Sequence, residues 1–363
     1  MREGMVRIPS GCAISGIIST KGIRFNGEAI TRSIACMHER ANGLGGGFVG
    51  YGIYPAYRDL YALHLMYETA QARADTEEYL GRHFTVHQAE PIPTRKTAGV
   101  GEAPMLWRYF VWPKEESEDG ADRDGDDYVT AFVMTVNGRI PGAFVFSSGR
   151  NMGVFKGVGF PADIARFFRL EEYEGYMWVS HGRFPTNTPG WWGGAHPLGI
   201  LDWSVVHNGE VSSYGINKRY LEMFGYCLEL QTDTEVIAYL FDLLHRRHGV
   251  PLDLVCRALT APFWKDIDRY EERERAVYTA LRRVYGSAML NGPFSIIVAF
   301  NGTMLGLNDR IKLRPMVCGR KDHFILMGSE ESALREAVGD LDAVWNIRAG
   351  ERFIARLEEG VTV

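Results

Sequence analysis

The sequence predicts an α+β fold, in which short strands and helices occupy separate stretches of the chain. Short apolar runs, such as Tyr176 to Val179 and Ser204 to Val206, have the length and composition of buried strands. Other stretches, such as Glu28 to Arg40, repeat their apolar residues with helical spacing. With 363 residues, 46% of them hydrophobic, the chain can bury a large core.

The composition argues against several classes of function. A net charge of −5 gives no reason to expect nucleic acid or an anionic membrane as a partner. No apolar run reaches the roughly 18 residues that a membrane-spanning helix needs. The five cysteines are widely spaced, without a Cys-x-x-Cys pair, at Cys12, Cys36, Cys227, Cys256 and Cys318. Neither a disulfide framework nor a metal site is therefore expected, and a cytoplasmic location is favoured.

In the first part of the chain, the pattern predicts a strand followed by two helices, and a glycine run lies between the two helices. A strand-like run follows Cys12, and Glu28 to Arg40 is predicted to be a helix. Gly43 to Gly50 contains the dinucleotide-binding pattern, but that pattern must lie between a strand and a helix, and this one follows a helix. We interpret it as a turn that needs positive φ. Leu60 to Leu80 has the spacing of a second helix.

An acidic segment lies among the next strand-like runs, which are Trp107 to Trp112, Tyr128 to Val136 and Gly142 to Ser147. The segment from Lys114 to Asp127 carries eight acids against two bases, which predicts a solvated surface insertion around 114–127. A calcium loop is excluded, because Asp127 stands where such a loop needs glycine.

Polar residues gather where two of the predicted strands end. Arg183 and Thr186 follow one strand, and an arginine can bind a carboxylate through two parallel hydrogen bonds while a threonine hydroxyl holds the same group. Asn208 and Gly209 follow another strand. A carboxamide beside an unhindered glycine amide supplies two donors, as the stabilisation of an oxyanion requires. Such a site still needs a nucleophile, and Cys12 can supply it.

The last part of the chain continues the mixture of elements. Its predicted elements are helices over Ile216 to Phe224, Gln231 to Leu244 and Trp264 to Arg283, a hairpin that turns at Asn301-Gly302, a strand over Phe324 to Met327 and a helix from Glu330. Thr232 or Asp233 could cap the second of these helices, with Glu235 completing a capping box.

Taken together, Cys12 and the run His181 to Thr188 resemble class II glutamine amidotransferases, hydrolases whose first mature residue is a catalytic cysteine. The likeness is closest to the glutaminase part of glutamate synthases, whose signature His-x-Arg-Phe-Ser/Pro-Thr-Asn-Thr is matched by that run. It covers Cys12 to about Val49 and His181 to about Arg335, and it is weak between them.

The resemblance implies a four-layer αββα sandwich of the N-terminal nucleophile hydrolase type, as a single large domain over residues 12–363. Residues 1–11 would be a short propeptide, whose removal leaves Cys12 at the start of a central strand. The freed α-amino group, with an ordinary pKa of about 7.7 to 8.0, would then act as the base. The chain departs from the family at Ala13, where many relatives have glycine.

The resemblance also implies a role for each residue of the site. Cys12 would be the nucleophile, and Asn208 and Gly209 would hold the oxyanion. Arg183 and Thr186 would bind the α-carboxylate of glutamine, and Asp233 its α-ammonium group. His196 and Phe184 would support the site, and no metal is expected.

The implied activity is hydrolysis of L-glutamine to L-glutamate and ammonia, delivered to a partner synthase, with glutamate synthase as the first candidate. No cofactor is expected in this chain, since FMN and iron–sulfur clusters would belong to the partner. A homo-oligomer is compatible with the sequence. Two alternatives stay open: a glutaminase for another synthase, such as one that makes N-methylglutamate, and a catalytically silent glutamine-binding subunit if Gly11-Cys12 is not cleaved.

Overall fold

The computed structural model describes residues 11–114, 125–185, 190–361 and 363. The strands are β1 Ala13–Ser19, β2 Phe25–Asn26, β3 Gly46–Tyr51, β4 Tyr61–Tyr67, β5 Phe84–Pro91, β6 Met105–Pro113, β7 Ala143–Ser147, β8 Met152–Gly157, β9 Glu174–Gly175, β10 Met177–Gly182, β11 Leu198–Ile200, β12 Trp203–Gly209, β13 Phe294–Phe300, β14 Thr303–Asn308, β15 Val317–Lys321, β16 Phe324–Gly328, β17 Ala343–Asn346 and β18 Arg352–Arg356. The α-helices are α1 Glu28–Cys36, α2 Ala70–His83, α3 Gly125–Arg139, α4 Pro161–Phe167, α5 Tyr214–Glu222, α6 Asp233–Phe241, α7 Leu252–Leu259, α8 Trp264–Ile267, α9 Glu272–Val284 and α10 Glu331–Val338.

Two antiparallel sheets form the centre of the fold. One has seven strands in the order β17-β15-β16-β1-β10-β3-β8, and the other has five in the order β11-β12-β13-β14-β18. Strand β1 is hydrogen-bonded to β10 on one side and to β16 on the other, so it lies inside the larger sheet. Strand β12 lies between β11 and β13 in the smaller sheet.

Helices cover the outer face of each sheet. Helices α1, α4 and α10 pack on the seven-stranded sheet, while α6 packs on β11 and β12 with α5 beside it. The inner faces of the two sheets meet where β1 and β10 contact β12 and β13. The predicted α+β fold with four αββα layers is therefore confirmed.

Strand β1 shows why the central strands lack alternation of polar and apolar residues. It is buried along its whole length, because helices cover one of its faces and the second sheet covers the other. The sheets approach each other closely at Gly16, where a methyl group would lie 2.6 Å from the sulfur of Met304. The buried hydroxyl of Ser15 is satisfied by Ser33 of α1 at 2.6 Å.

Much of the stretch where the family likeness is weak forms a third sheet. Its four strands have the order β5-β6-β4-β7, and α2 and α3 pack beside it. The third sheet contacts β8 and β11, which are edge strands of the two central sheets. It therefore extends the sandwich at one side and leaves the first residues of β1 untouched.

The prediction of one helix over Leu60 to Leu80 is wrong in its first half. Tyr61 to Tyr67 is the fully buried strand β4, and the helix begins only after Thr69, whose side chain accepts the N–H of Ala72. A short, mostly apolar run fits a buried strand and a buried helix equally well, so spacing alone could not distinguish them.

The prediction of a strand over Tyr128 to Val136 is also wrong, because these residues belong to helix α3. The β-branched residues of this run favour a strand. Its buried apolar side chains nevertheless have the helical spacing i, i+3, i+4, i+7, at Val129, Phe132, Val133 and Val136.

The acidic insertion predicted for 114–127 is corrected at its end. Residues 115–124 lie outside the described residues. Asp126 and Asp127 are in the first turn of α3 and are not solvated loop residues: Asp126 accepts the Tyr61 hydroxyl at 2.6 Å and Asp127 pairs with Arg246 at 2.7 Å.

Several other predicted elements are confirmed, and two are revised. The structure contains the predicted helix after Gly27, the strands at 107–112 and 142–147 and the hairpin at Asn301-Gly302. The helix predicted over Trp264 to Arg283 is divided into α8 and α9. The glycine run is a turn only up to Gly45, after which it forms β3. Within the described part of the chain, none of the helices combines the length and the apolar character needed to cross a membrane.

Candidate active site

Most of the residues predicted for the site line one cleft of about 580 Å³. Its lining includes Cys12, Arg183, Phe184, His196, Gly209 and Asp233. Asn208 immediately precedes Gly209 and is fully buried. Thr186 lies outside the described residues, so its predicted contact with a carboxylate is a proposal only.

Cys12 occupies the position directly before β1. Its sulfur accepts the backbone N–H of Phe184 at 3.3 Å, and its carbonyl accepts a hydrogen bond from Arg40 Nε at 3.3 Å. Burial raises the pKa of the Cys12 thiol, against the opposing effects of the Phe184 N–H and the Arg183 charge. The thiol is therefore protonated at neutral pH, and its attack on a carbonyl needs a base.

Arg183 follows β10, and its backbone is held by the turn after α1. Its N–H donates to the carbonyl of Gly45 at 2.8 Å, and its own carbonyl accepts from Asn42 at 3.2 Å. A methyl group at Gly45, where φ is +159°, would lie 3.1 Å from Cδ of Arg183. The glycine run thus leaves room for the Arg183 side chain, which is 4% exposed. Burial lowers the pKa of this guanidinium, while the nearby Cys12 and Asp233 act to raise it.

Asn208 and Gly209 end β12 beside the cleft. Both side-chain polar atoms of Asn208 are buried, and neither has a hydrogen-bond partner among the described residues. Gly209 has φ of +140°, and a Cβ atom there would lie 1.9 Å from the carbonyl oxygen of Pro293, so only glycine fits. A buried carboxamide without a partner costs stability, and such costs are tolerated where the group acts on a ligand.

Asp233 is the first residue of α6, and it does not cap that helix. The cap is Thr232, whose hydroxyl accepts the N–H of Thr234. Asp233 instead accepts the N–H of Val211 at 2.8 Å and lies 3.6 Å from Nδ1 of His207. Burial acts to raise the pKa of Asp233, but the combined effects of His207 and these hydrogen bonds lower it. The carboxylate is therefore ionised and faces the cleft, as a site for an ammonium group requires.

The histidines of the central motif form a buried group behind the cleft. The rings of His181 and His196 lie 4.1 Å apart, and His196 is hydrogen-bonded to Thr232 at 3.3 Å. His181 is hydrogen-bonded to the carbonyl of His207 at 3.0 Å. Burial lowers the pKa of His181 to about 3 and also lowers the pKa of His196. Both are neutral near pH 7, which suits groups that fix the loops around the cleft.

Lys156 is a residue near the site that the sequence analysis missed. It is 2% exposed, and its ammonium group donates to the carbonyl of Gly193 at 2.8 Å. Burial lowers its pKa to about 7, while the charge of Glu235 acts to raise it. Burial also raises the pKa of Glu235 to about 7. A lysine directly after the apolar run Met152 to Phe155 was the available signal, because lysine is rarely buried without a partner.

No group of three or more His, Cys, Asp and Glu side chains within the described ranges is arranged to hold a metal ion. The sequence profile of the family described as glutamine amidotransferases class-II matches residues 133–363. The chain belongs to this family. The matched part contains Arg183, Asn208, Gly209 and Asp233, while Cys12 lies before it.

Three proteins illustrate the sequence relatives of this class II glutamine amidotransferase. A protein of Archaeoglobus fulgidus without an assigned function is 52% identical over 99% of this chain and 96% of its own length. An amidophosphoribosyltransferase of Methanocaldococcus jannaschii is 24% identical over 65% of this chain and 46% of its own. The glutamine amidotransferase-like protein GlxB of Rhizobium meliloti is 27% identical over 53% and 56%, respectively. The chain thus spans about half the length of the second and third relatives.

Among solved structures, the glutamine phosphoribosylpyrophosphate amidotransferase of B. subtilis matches this glutamine amidotransferase with a TM-score of 0.47 and 14% identity. It covers 95% of this chain and 47% of the bacterial one.

Proposed function

We propose that this amidotransferase hydrolyses L-glutamine to L-glutamate and ammonia through a thioester on Cys12 and delivers the ammonia to a partner synthase. The observation that carries the proposal is the shared cleft, which places the Cys12 sulfur together with a cation, an anion and the Gly209 turn. Arg183 and Asp233 have the opposite charges of an amino acid's two head groups. A glutamine held between them would direct its side-chain amide toward the sulfur.

Binding and attack follow from this arrangement. Arg183, with Thr186, binds the α-carboxylate, and Asp233 binds the α-ammonium group. The Cys12 sulfur attacks the amide carbon, and its proton passes to a base. Asn208 and the Gly209 N–H then stabilise the negative oxygen of the tetrahedral intermediate.

The base in this mechanism is the α-amino group of Cys12, which exists only after the Gly11-Cys12 bond is cut. A methyl group placed on Gly11 would lie 3.9 Å from Asn208 Oδ1 and 3.7 Å from Arg314 Nη1. The residue to be removed therefore lies beside the amide group assigned to the oxyanion. An α-amino group with a pKa of about 7.7 to 8.0 can accept the thiol proton near neutral pH.

The second half of the reaction releases both products. The C–N bond of the tetrahedral intermediate breaks, and the nitrogen leaves as ammonia with the proton taken from the thiol. Water then attacks the thioester carbonyl, the C–S bond breaks, and glutamate leaves while the sulfur regains a proton.

The proposed recipient of the ammonia is a separate synthase in the cytoplasm, with glutamate synthase as the first candidate and an N-methylglutamate-forming synthase as the second. FMN and iron–sulfur clusters are assigned to that partner, as the resemblance to glutamate synthases implies. The resemblance of His181 to Thr188 to the glutamate synthase signature supports the first candidate.

The proposal is tested by mass spectrometry of the protein purified from its native cells. The mature chain is expected to lack Met1 to Gly11, and a diazoketone analogue of glutamine is expected to add its mass at Cys12. Cys36, which is exposed, is the internal control because it should remain unmodified. A chain that retains residues 1–11, releases no ammonia and takes up no label would instead be a silent glutamine-binding subunit.

A further inference from the structure

A loop beside the active site presents large apolar side chains to solvent. It runs from Asp309 to Pro315, and within it Ile311 is 53% exposed and Leu313 is 60% exposed. Cations alternate with these two residues at Arg310, Lys312 and Arg314. The chain as a whole carries a net charge of −5, so this loop differs in charge from the average surface.

The loop is held in one conformation by a buried carboxylate. Asp309 is 2% exposed, and its oxygens accept the N–H groups of Phe294, Ile311 and Leu313 at 2.8–3.1 Å. Lys312 has φ of +52°, a backbone conformation that non-glycine residues rarely adopt. The hydrogen bonds of Asp309 therefore fix the conformation of the loop in which Ile311 and Leu313 are exposed.

The same loop reaches the catalytic end of the sandwich. The carbonyl of Arg314 accepts the hydroxyl of Ser295 at 3.0 Å, and Ser295 is the cross-strand partner of Asn208. The Arg314 guanidinium lies near Gly11, and its charge acts on the Cys12 thiol. The exposed apolar residues are thus only one to three positions from a residue that adjoins the site.

Two exposed aromatic side chains extend this surface. Phe263 and Trp264 are 43% and 46% exposed at the start of α8. The guanidinium of Arg310 lies 4.8 Å from the Phe263 ring centre, and that of Arg282 lies 4.4 Å from the Trp264 ring centre. We call Phe263, Trp264, Ile311 and Leu313, with Arg282, Arg310 and Lys312, the docking patch.

We propose that the docking patch binds an acidic, apolar-centred surface of the enzyme that receives the ammonia. This inference rests on the proposed function, because it assumes that ammonia is released beside Cys12 for use elsewhere. Ammonia that escapes into water at neutral pH becomes ammonium and loses its nucleophilic lone pair. A partner docked on the loop whose Arg314 lies near Gly11 and Cys12 shortens the path on which that loss occurs. Aromatic and arginine side chains are enriched in such interfaces.

The charge of the patch argues for this partner over a second copy of the chain. In a two-fold dimer the same patch occurs on both sides of the interface. Arg310, Lys312 and Arg282 would then face a surface that carries the same cations, and like charges brought together at an interface oppose association. An acidic partner surface has the complementary charge.

The test uses the full-length tagged chain, purified with its bound proteins from its native cells. Ile311→Glu and Leu313→Glu are compared with Ile23→Glu, since Ile23 is 51% exposed and follows the far end of β1 from Cys12. We expect the two patch variants to bind the partner about 10- to 100-fold more weakly, as loss of a central interface residue does, and the control to bind normally. The co-purified subunit counts as the partner only if it aminates its substrate with ammonium salt.

Other outcomes would contradict the inference. If Ile311→Glu and Leu313→Glu retain the partner as well as Ile23→Glu does, the patch is not the docking surface. If they instead dissociate a wild-type dimer seen by light scattering, the occupant is a second copy. Glutamine hydrolysis by each isolated variant is measured in parallel and should equal that of the wild type. A wild type that does not hydrolyse glutamine refutes the proposed function, whereas normal hydrolysis with unchanged partner binding refutes only the patch.

Discussion

Asn208, which directly precedes the cleft residue Gly209, and Asp233, which lines the cleft, differ in their hydrogen bonding. The Asn208 carboxamide is buried and without a partner in the described part of the chain, whereas Asp233 already accepts the N–H of Val211. A buried group without a partner costs stability, so its replacement should impair the chemistry without lowering the stability of the fold. A group with partners contributes to both.

Replacing Asn208 with alanine should lower kcat by about 10²- to 10³-fold, the usual loss for one oxyanion donor, with little change in Tm. Asn308→Ala is the matched control, since Asn308 is equally buried but bonds to Ser295 and to the carbonyl of Ile347. That control should lose about 1–3 kcal/mol of stability and keep its kcat. Steady-state kinetics and thermal unfolding of both variants measure the difference. A large fall in Tm for Asn208→Ala with normal kcat would assign Asn208 to structure.

Asp233→Asn should raise KM for glutamine by about 10- to 100-fold, because a hydrogen bond to a charged group contributes about 1.5–3 kcal/mol. The mutation keeps the size of the side chain, and the helix cap at Thr232 is unaffected. Glutaminase kinetics with glutamine give KM, and circular dichroism reports the helix. An unchanged KM with a lower Tm would mean that Asp233 only braces Val211.

At this scale the sequence predicted the residues whose chemistry is unusual in its context. Cys12, Arg183 and Gly209 were predicted because they stand next to strand-like runs, and Asp233 was predicted from the family resemblance at the start of a helix. The structure places all four around one cleft. Lys156 was not found, because its partner is the carbonyl of Gly193, and a backbone carbonyl leaves no mark in the sequence.

At the scale of elements, Lys156 interacts both with the loop at Gly193 and with helix α6, and these segments adjoin the proposed head-group ligands Arg183 and Asp233. Its ammonium group holds the loop at Gly193, and the next residue adjoins Arg183: a methyl group on Gly194 would lie 3.2 Å from Nη1 of Arg183. Its charge also acts on Glu235 of α6, two positions after Asp233. One buried cation therefore relates the position of the loop to that of α6.

Lys156→Met should raise KM for glutamine by about tenfold while kcat stays within about threefold, because it loosens the spacing of the two ligands without touching the reacting atoms. Arg246→Met is the control: it breaks an ion pair with Asp242 just after α6 and should cost a similar few kcal/mol of stability. Kinetics and urea unfolding of both variants separate the effects. Equal KM values in the two variants would reduce Lys156 to a stabilising group.

The elements that the sequence predicted wrongly have a common physical cause. Tyr61 to Tyr67 and Tyr128 to Val136 are both mostly apolar, and both contribute to the same buried cluster around the third sheet. When both sides of a segment are covered, polarity no longer marks its period, and tertiary packing decides between strand and helix. These errors did not affect the prediction of the site, because its residues lie at the ends of β1, β10 and β12 and at the start of α6, where the sequence carries clear motifs.

At the scale of the whole molecule, three buried histidines couple stability to pH. Burial lowers the pKa of His64 and His181 to about 3, and it also lowers the pKa of His196. In the unfolded chain each has a pKa of about 6.5. Below that pH the unfolded chain binds protons that the folded chain does not, so stability present above pH 6.5 is lost as the pH falls toward 3.

Each such histidine should remove about 1.4 kcal/mol of stability per pH unit below about pH 6.5. We therefore expect the free energy of unfolding in urea to be lower at pH 5.5 than at pH 7.5. His64→Gln should weaken this dependence by one histidine, while His87→Gln, at an exposed position, should leave it unchanged. Equal slopes in both variants would remove His64 from the explanation.

The interior position of β1 in its sheet determines how activity should be lost when the protein is denatured. Strands bonded on both edges exchange their amide hydrogens for deuterium only when the whole molecule opens. Ile14 to Ile18 should accordingly be among the last amides to exchange, and Cys12 directly precedes them. If Cys12 is the nucleophile, as proposed, activity should be lost together with global unfolding, so that the decline of ammonia release in urea coincides with the loss of the native fold and does not precede it.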